Sequence, residues 1–220
     1  MIKMQIDGIV FDLDGTLADT EPLHIDTWLV ILNNLGLKFD ESWMHQWIGL
    51  SDRLVAEHVC EHYLKKQSVE SLQQLKQQTY RNRAITEVKL FDQVEDYLHE
   101  ITQFVPIALA TNSSQDDVSA VFQATNLQRH LKVIVTANDV SNLKPHPEPY
   151  QSASFKLGLQ PSLCFALEDS PAGIHSAKSA GLFAIGVENS HPSEILKEAN
   201  LIFSDTPKAL AHILNVLKSN

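Results

Sequence analysis

Carboxylates, a lysine and a few hydroxyls recur in this 220-residue chain at one kind of place, directly after short apolar runs. The first is Ile9-Val10-Phe11-Asp12-Leu13-Asp14-Gly15-Thr16-Leu17-Ala18-Asp19-Thr20. In a strand, residues i and i+2 share a face, so Asp12 and Asp14 emerge together. Gly15 then allows the turn, because glycine accepts the positive φ that other residues resist. Two such carboxylates repel unless a cation or a shared proton relieves them, an arrangement that suits Mg²⁺ with a phosphate. An acidic hairpin turn uses the same Asp-Gly dipeptide, so the pair alone decides nothing.

Later apolar runs end in further polar groups. Ile107-Ala108-Leu109-Ala110 leads into Thr111-Asn112-Ser113-Ser114. Hydroxyls, an amide and backbone N–H groups ahead of a helix make an anion seat, although an ordinary Ser/Thr helix cap uses the same residues. Leu143-Lys144-Pro145-His146-Pro147-Glu148-Pro149 holds a lysine between rigid residues, where it can meet a phosphate oxygen or a carboxylate. A single loop lysine is otherwise a solvated one. Cys164-Phe165-Ala166-Leu167 precedes Glu168-Asp169-Ser170-Pro171-Ala172-Gly173-Ile174, a second acidic pair. Ser170-Pro171 reads as a cap and first helical position. Glu168 and Asp169 suit an oxygen-ligated Mg²⁺, Asp169 directly and Glu168 directly or through water.

Most of these groups need strands that stop together. Residues 6–12 read as a buried strand, followed by about seventy residues of helical pattern. Pro22 opens a first helix with His24, Trp28, Ile31 and Leu35 on one face, ended by Gly36. A short helix covers 40–47. Ser51 caps a third, carrying Leu54, Val55, His58 and Val59, and Ser68 caps a fourth with Leu72, Leu75 and Thr79 on one side. Beyond it, helices at 92–103, 115–124, 148–157, 171–180 and 207–218 intersperse with strands at 105–110, 132–136, 163–167, 182–187 and 201–203. Near-continuous apolar strands between helices predict an α/β fold, a doubly wound, mainly parallel sheet covered on both faces. The expected division is an α/β core of 1–18 and 86–220 with an all-helical insertion at 19–85.

Bulk properties narrow the partners. A formal charge of −10 argues against nucleic acid. No apolar run reaches the roughly 20 residues that span a bilayer. Asp7 comes too early for a signal-peptide apolar core, so the expected location is cytoplasmic. Cys60 and Cys164 stand far apart in apolar contexts and read as buried thiols. His58 and His62, four apart on a helix with no third ligand, read as a surface feature.

The strings Asp-x-Asp-Gly-Thr-x-x-Asp-Thr, Thr111, Lys144-Pro-x-Pro-Glu and Glu168-Asp-Ser-x-x-Gly-Ile, in that order, resemble the four motifs of the haloacid dehalogenase superfamily of phosphotransferases. The resemblance covers essentially the whole chain. It implies that Asp12 is the nucleophile and Asp14 the general acid and base. Thr111, Asn112 and Lys144 then bind phosphate, and Mg²⁺ is held by Asp12, the Asp14 carbonyl and Asp169, with Glu168 beside them. The inserted helices become a cap of the β-phosphoglucomutase-like type, in which His24, Arg53 and Lys76 are candidate substrate residues. The mutase cap carries Gly-x-Ser-Arg; here Gly49-Leu50-Ser51-Asp52-Arg53 puts an acid in the arginine's place. One residue along a helix turns a side chain by about 100°, so Arg53 points elsewhere than the mutase arginine. The expected activity is a Mg²⁺-dependent sugar-phosphate phosphatase working through an aspartyl phosphate, with a phosphohexomutase as the alternative. A dehalogenase would lack Asp14, since halide leaves without a proton. The expected partner is a small phosphorylated metabolite, and the chain a monomer or weak dimer.

Overall fold

Every residue of the first strand is buried, and it lies at the centre of the molecule's main sheet. The computed structural model describes residues 5–47 and 51–219. The strands are β1 (Gly8–Phe11), β2 (Ala18–Asp19), β3 (Lys89–Leu90), β4 (Ile107–Ala110), β5 (Val133–Val135), β6 (Cys164–Glu168), β7 (Phe183–Val187) and β8 (Leu201–Phe203). The helices are α1 (Glu21–Asn34), α2 (Glu41–Met44), α3 (Asp52–His62), α4 (Val69–Glu87), α5 (Val94–Ile101), α6 (Gln115–Thr125), α7 (Glu148–Leu157), α8 (Pro171–Ser179) and α9 (Thr206–Lys218). Six strands form a sheet of order β5-β4-β1-β6-β7-β8, every pair parallel.

Alternation along β1 assigns its two faces. Ile9 and Phe11 join the apolar cluster under α5, α6 and α9, while Val10 joins the cluster under α7 and α8. A sheet covered on both sides needs apolar residues at every position, which explains the unbroken run that leads into Asp12. The chain winds from β1 to β4 and β5 on one side and to β6, β7 and β8 on the other. The topological switch point therefore lies at the carboxyl end of β1, where such sheets bind ligands. The doubly wound α/β expectation is borne out.

Between β2 and β3 the chain builds α1 to α4 around a cluster that includes Trp28, Ile31, Leu32, Met44, Val55, Val59 and Leu72. β2 and β3 pair antiparallel, Ala18 with Leu90 and Asp19 with Lys89, so the outgoing and returning chains form a short ribbon. Two residues per strand leave no alternation to read, and that ribbon is invisible in the sequence pattern. Two local expectations need correction. Ser51 stands at the N-cap of α3 without a side-chain cap bond. α4 buries Leu72, Lys76, Tyr80 and Ala84, whereas Leu75 is 42% exposed. Ile48, Gly49 and Leu50, part of the loop compared with the mutase cap, lie outside the described residues. Among the described residues no helix is long and apolar enough to cross a membrane.

Candidate active site

Asp12 follows β1 directly and is buried, and strand register brings the ends of β4 and β6 beside it. Lys144 Nζ lies 2.5 Å from Asp12 Oδ1 and 2.6 Å from Glu168 Oε1. Carboxylate oxygens of Asp12, Glu168 and Asp169 fall within 4.8 Å of one another, all three residues buried. Thr16 Oγ1 donates to Asp169 Oδ1 at 3.0 Å. Gly15 has φ +72°, and a Cβ there would lie 2.2 Å from Asp169 Oδ2, so glycine answers both the turn and the close approach. Asp14 Oδ2 accepts a hydrogen bond from Ser113 Oγ at 2.5 Å. Thr111 is buried beside it, its Oγ1 accepting from the Ser113 backbone N–H.

Behind this group, Glu168 organises Lys144. Oε1 of Glu168 accepts from Lys144 and from the Tyr150 hydroxyl at 2.8 Å, and Oε2 accepts from the Ser170 N–H and Oγ. Those bonds occupy Glu168, so the open oxygen capacity lies on Asp12 and Asp169. Asn112 accepts from the Lys144 N–H at 2.9 Å through Oδ1 and donates to the Lys144 carbonyl at 3.2 Å through Nδ2. Its side chain is thus committed to the Lys144 backbone. Ser170 caps α8 by accepting from the Gly173 N–H at 3.0 Å.

The electrostatics are lopsided. Burial pushes the Asp12 carboxyl well above its usual range; Lys144 opposes this and the neighbouring carboxylates reinforce it. Burial, then the charge of Glu168, pushes Asp169 up to about 7. Burial alone would lower Lys144, but Asp12 and Glu168 outweigh it and hold the ammonium firmly protonated. Ionised together, the three buried carboxylates would exceed the one buried ammonium by two charges, a deficit that the upward shifts of Asp12 and Asp169 register. A hard divalent cation with oxygen ligands fits that deficit, and these residues fit Mg²⁺.

On the helical insertion, His24 and Lys76 do come together. Lys76 Nζ lies 2.5 Å from His24 Nδ1 and 2.8 Å from Asp52 Oδ2, and Lys76 is 1% exposed. Lys76 is therefore not a solvated helix lysine. The Tyr80 ring stacks on His24 with centroids 4.1 Å apart. Arg53 does not join them: it pairs with Glu57 at 2.8 Å and its side chain is 60% exposed. Arg81 reaches across to the sheet domain, 2.7 Å from Asp117 and 3.0 Å from Asp116, with a further bond to Ser114.

The sequence pattern assigns no role to Thr16, Ser113, Tyr150 and Tyr80, and it marks Asp52 only as the acid in the mutase arginine's place. Thr16 and Ser113 stand inside strings already singled out; a search for hydroxyls beside the two aspartates finds Thr16, whereas Ser113 meets Asp14 only through the fold. Tyr150 looks like any apolar residue of α7 and carries no sequence signal.

Known proteins agree with this geometry. The model of the haloacid dehalogenase-like hydrolases matches residues 9–187. A validoxylamine A 7'-phosphate phosphatase of Streptomyces hygroscopicus subsp. limoneus is 30% identical over 201 residues, 89% of this chain and 92% of its own. A fructose-1-phosphate phosphatase of Escherichia coli (strain K12) is 28% identical, with 82% of this chain and 95% of its own covered. The crystal structure of a Thermotoga maritima protein, described as a candidate beta-phosphoglucomutase, superposes with a TM-score of 0.83 at 26% identity, covering 97% of this chain and 99% of that one. The matched span, residues 9–187, contains the ends of β1, β4 and β6 that carry the site, so this chain belongs to the haloacid dehalogenase-like hydrolases.

Proposed function

We propose that this chain is a phosphatase of small phosphate monoesters, sugar phosphates above all, acting through an aspartyl phosphate on Asp12 with Mg²⁺ as cofactor. The observation that carries the reading is the different setting of two aspartates two residues apart. Asp12 is buried and pinned by Lys144, whereas Asp14 is held by the Ser113 hydroxyl.

Asp12 attacks phosphorus with a carboxylate oxygen, and the ester oxygen leaves with a proton from Asp14. Asp14, now ionised, takes a proton from the water that opens the acyl phosphate. Lys144 and Thr111 hold the phosphoryl oxygens, while Asn112 acts one step removed by fixing the Lys144 backbone. Asp12, Asp169 and the Asp14 carbonyl, with Glu168 behind them, would hold Mg²⁺, which when bound would neutralise charge on the transferring group. Residues 1–18 and 86–220 serve as the catalytic core and 19–85 as the cap. The separate apolar cluster of the inserted helices supports that division. The buried free thiols of Cys60 and Cys164 favour a reducing, cytoplasmic setting.

Handing the phosphoryl group to a sugar hydroxyl instead of water would make the chain a mutase. Asp52, paired with Lys76 where the mutase cap has arginine, favours the phosphatase. The test is a panel of sugar phosphates with Mg²⁺, expected to release phosphate in a reaction that Asp12→Asn abolishes. Conversion of β-glucose 1-phosphate to glucose 6-phosphate, primed by bisphosphate and without matching phosphate release, would overturn the reading in favour of the mutase.

A further inference from the structure

The inserted helices bury a polar cluster that none of the steps above uses. α1 supplies His24, α4 supplies Lys76 and Tyr80, and Asp52 is the first residue of α3. Lys76 bridges Asp52 and His24, and its Nζ sits 4.8 Å from the Tyr80 ring centroid. Asp52 Oδ1 accepts from Trp28 Nε1 at 2.9 Å. The cluster adjoins the catalytic group: Arg81, next to Tyr80 on α4, bonds Ser114 Oγ, and the neighbouring Ser113 holds Asp14.

Two features of this cluster point to a ligand. The buried Tyr80 hydroxyl has no hydrogen-bond partner among the described residues, and Tyr80 is 2% exposed. Buried hydroxyls are nearly always paired, so an orphan beside a catalytic acid is a donor awaiting an acceptor. His24 Nδ1 faces the Lys76 ammonium, which has only protons to give, so the imidazole proton resides on Nε2. Burial and then Lys76 push the His24 pKa down to about 4, which leaves the ring neutral.

The charge balance excludes one class of ligand. Among the described residues Lys76 is the only cation in the cluster, and Asp52 already neutralises it. Burial tends to raise the Asp52 carboxyl, but Lys76 and the Trp28 hydrogen bond outweigh it and keep the carboxylate ionised. Glu21, at the start of α1, adds a further carboxylate close to Asp52 and Lys76. A second phosphate arriving here meets carboxylates and no free cation. A sugar hydroxyl meets the Tyr80 O–H and the His24 Nε2–H.

We propose that Asp52, Lys76, His24 and Tyr80 form the substrate-reading wall of the site, selecting monophosphates whose far end is an uncharged polyol and rejecting bisphosphates. This rests on the phosphatase reading for the first phosphate, and it deepens that reading by assigning the substrate class. Asp52 is the discriminating residue.

The test is calorimetric binding to the Asp12→Asn protein, with Mg²⁺, of fructose 1-phosphate and fructose 1,6-bisphosphate. The expected result is monophosphate binding about tenfold or more tighter, roughly what one well-placed charge supplies. Asp52→Asn on that background should narrow the ratio to within about threefold by tightening the bisphosphate, and Tyr80→Phe should weaken the monophosphate by about five- to tenfold. Equal affinities before any cap substitution overturn the proposal. So does an Asp52→Asn variant in which both ligands shift together, the mark of a merely structural role. Binding of neither ligand overturns it together with the phosphatase reading. Discrimination without turnover of any ester by the native protein would defeat the phosphatase reading alone, whereas turnover without discrimination would defeat this proposal alone.

Discussion

The side chain on which most of the site depends is Glu168, fully buried, with hydrogen bonds from Lys144, Tyr150 and Ser170. It sets where the Lys144 ammonium stands, and hence how Asp12 is presented. Gly173 exists to make room for it: a Cβ there would lie 1.8 Å from Glu168 Oε1. Gly173→Ala must therefore move Glu168 and drag Lys144 away from Asp12. Misplacement of about 1 Å in a catalytic group costs on the order of a hundredfold. A kcat within threefold of the native value would show that Lys144 is held by something else. His24 supports a second prediction, about pH. Its folded pKa, about 4, lies below the ordinary 6.5, so the unfolded chain binds the proton more readily between those values. Stability due to neutral His24 is present above about pH 6.5 and is lost as pH falls toward 4. In urea titrations at pH 7.5 and 5, the native protein should lose more stability than His24→Gln; equal losses would refute the assignment. The residues in both cases stand in plain view in the sequence, but their partners do not. Ser113 and Asp14 are 99 positions apart, and only the adjacency of β1 and β4 makes them partners.

At the scale of elements, most of the architecture was legible because most elements obey one rule each. α7 begins and ends at the expected residues, Glu148 and Leu157, because Pro149 suits its first turn and Gly158 its left-handed exit. α4 was located but its face was misread. Leu72, Leu75 and Thr79 make a plausible stripe, yet the helix buries every fourth residue from Leu72 to Ala84, Lys76 included. Pattern reading assumes that a buried face is apolar, and it fails where a charge is buried with its partner on another helix. The same helix carries Arg81 outward to Asp116 and Asp117 at the start of α6, one turn from the Thr111–Ser114 loop. Ser114 caps α6 and also accepts from Arg81, which ties α4 to the loop whose Ser113 holds Asp14. An ion-pair network at this exposure contributes about 1 kcal/mol or a little more. Arg81→Ala should therefore lower stability only modestly while raising KM several-fold, because α4 loses its ion-paired seat beside the Thr111–Ser114 loop. An unchanged KM with the same loss of stability would make Arg81 a structural staple and nothing more.

For the molecule as a whole, the acidic excess turns substrate binding into a local matter. A chain of formal charge −10 repels anions at a distance, and among the strand ends the buried cation is Lys144, already shared by Asp12 and Glu168. The fold thus holds together a sheet whose central strand ends converge on like charges, an arrangement that costs stability until a cation binds. Two consequences oppose one another in sign, and together they test the site. Mg²⁺ binding to the folded state alone adds about 2.7 kcal/mol at a hundred times its dissociation constant. For a chain of this size that is a rise in Tm of about 5–10 °C. Asp169→Asn removes one of the repelling charges, so with EDTA present the variant should melt above the native protein. It also removes a ligand, so the added metal should raise its Tm by little. The two melting curves are expected to cross as Mg²⁺ is titrated in, with the variant ahead at first and the native protein ahead at saturation. Equal Mg²⁺ responses would mean that Asp169 does not hold the ion. A variant that is less stable than the native protein even in EDTA would mean that the bond from Thr16 to Asp169 outweighs the repulsion.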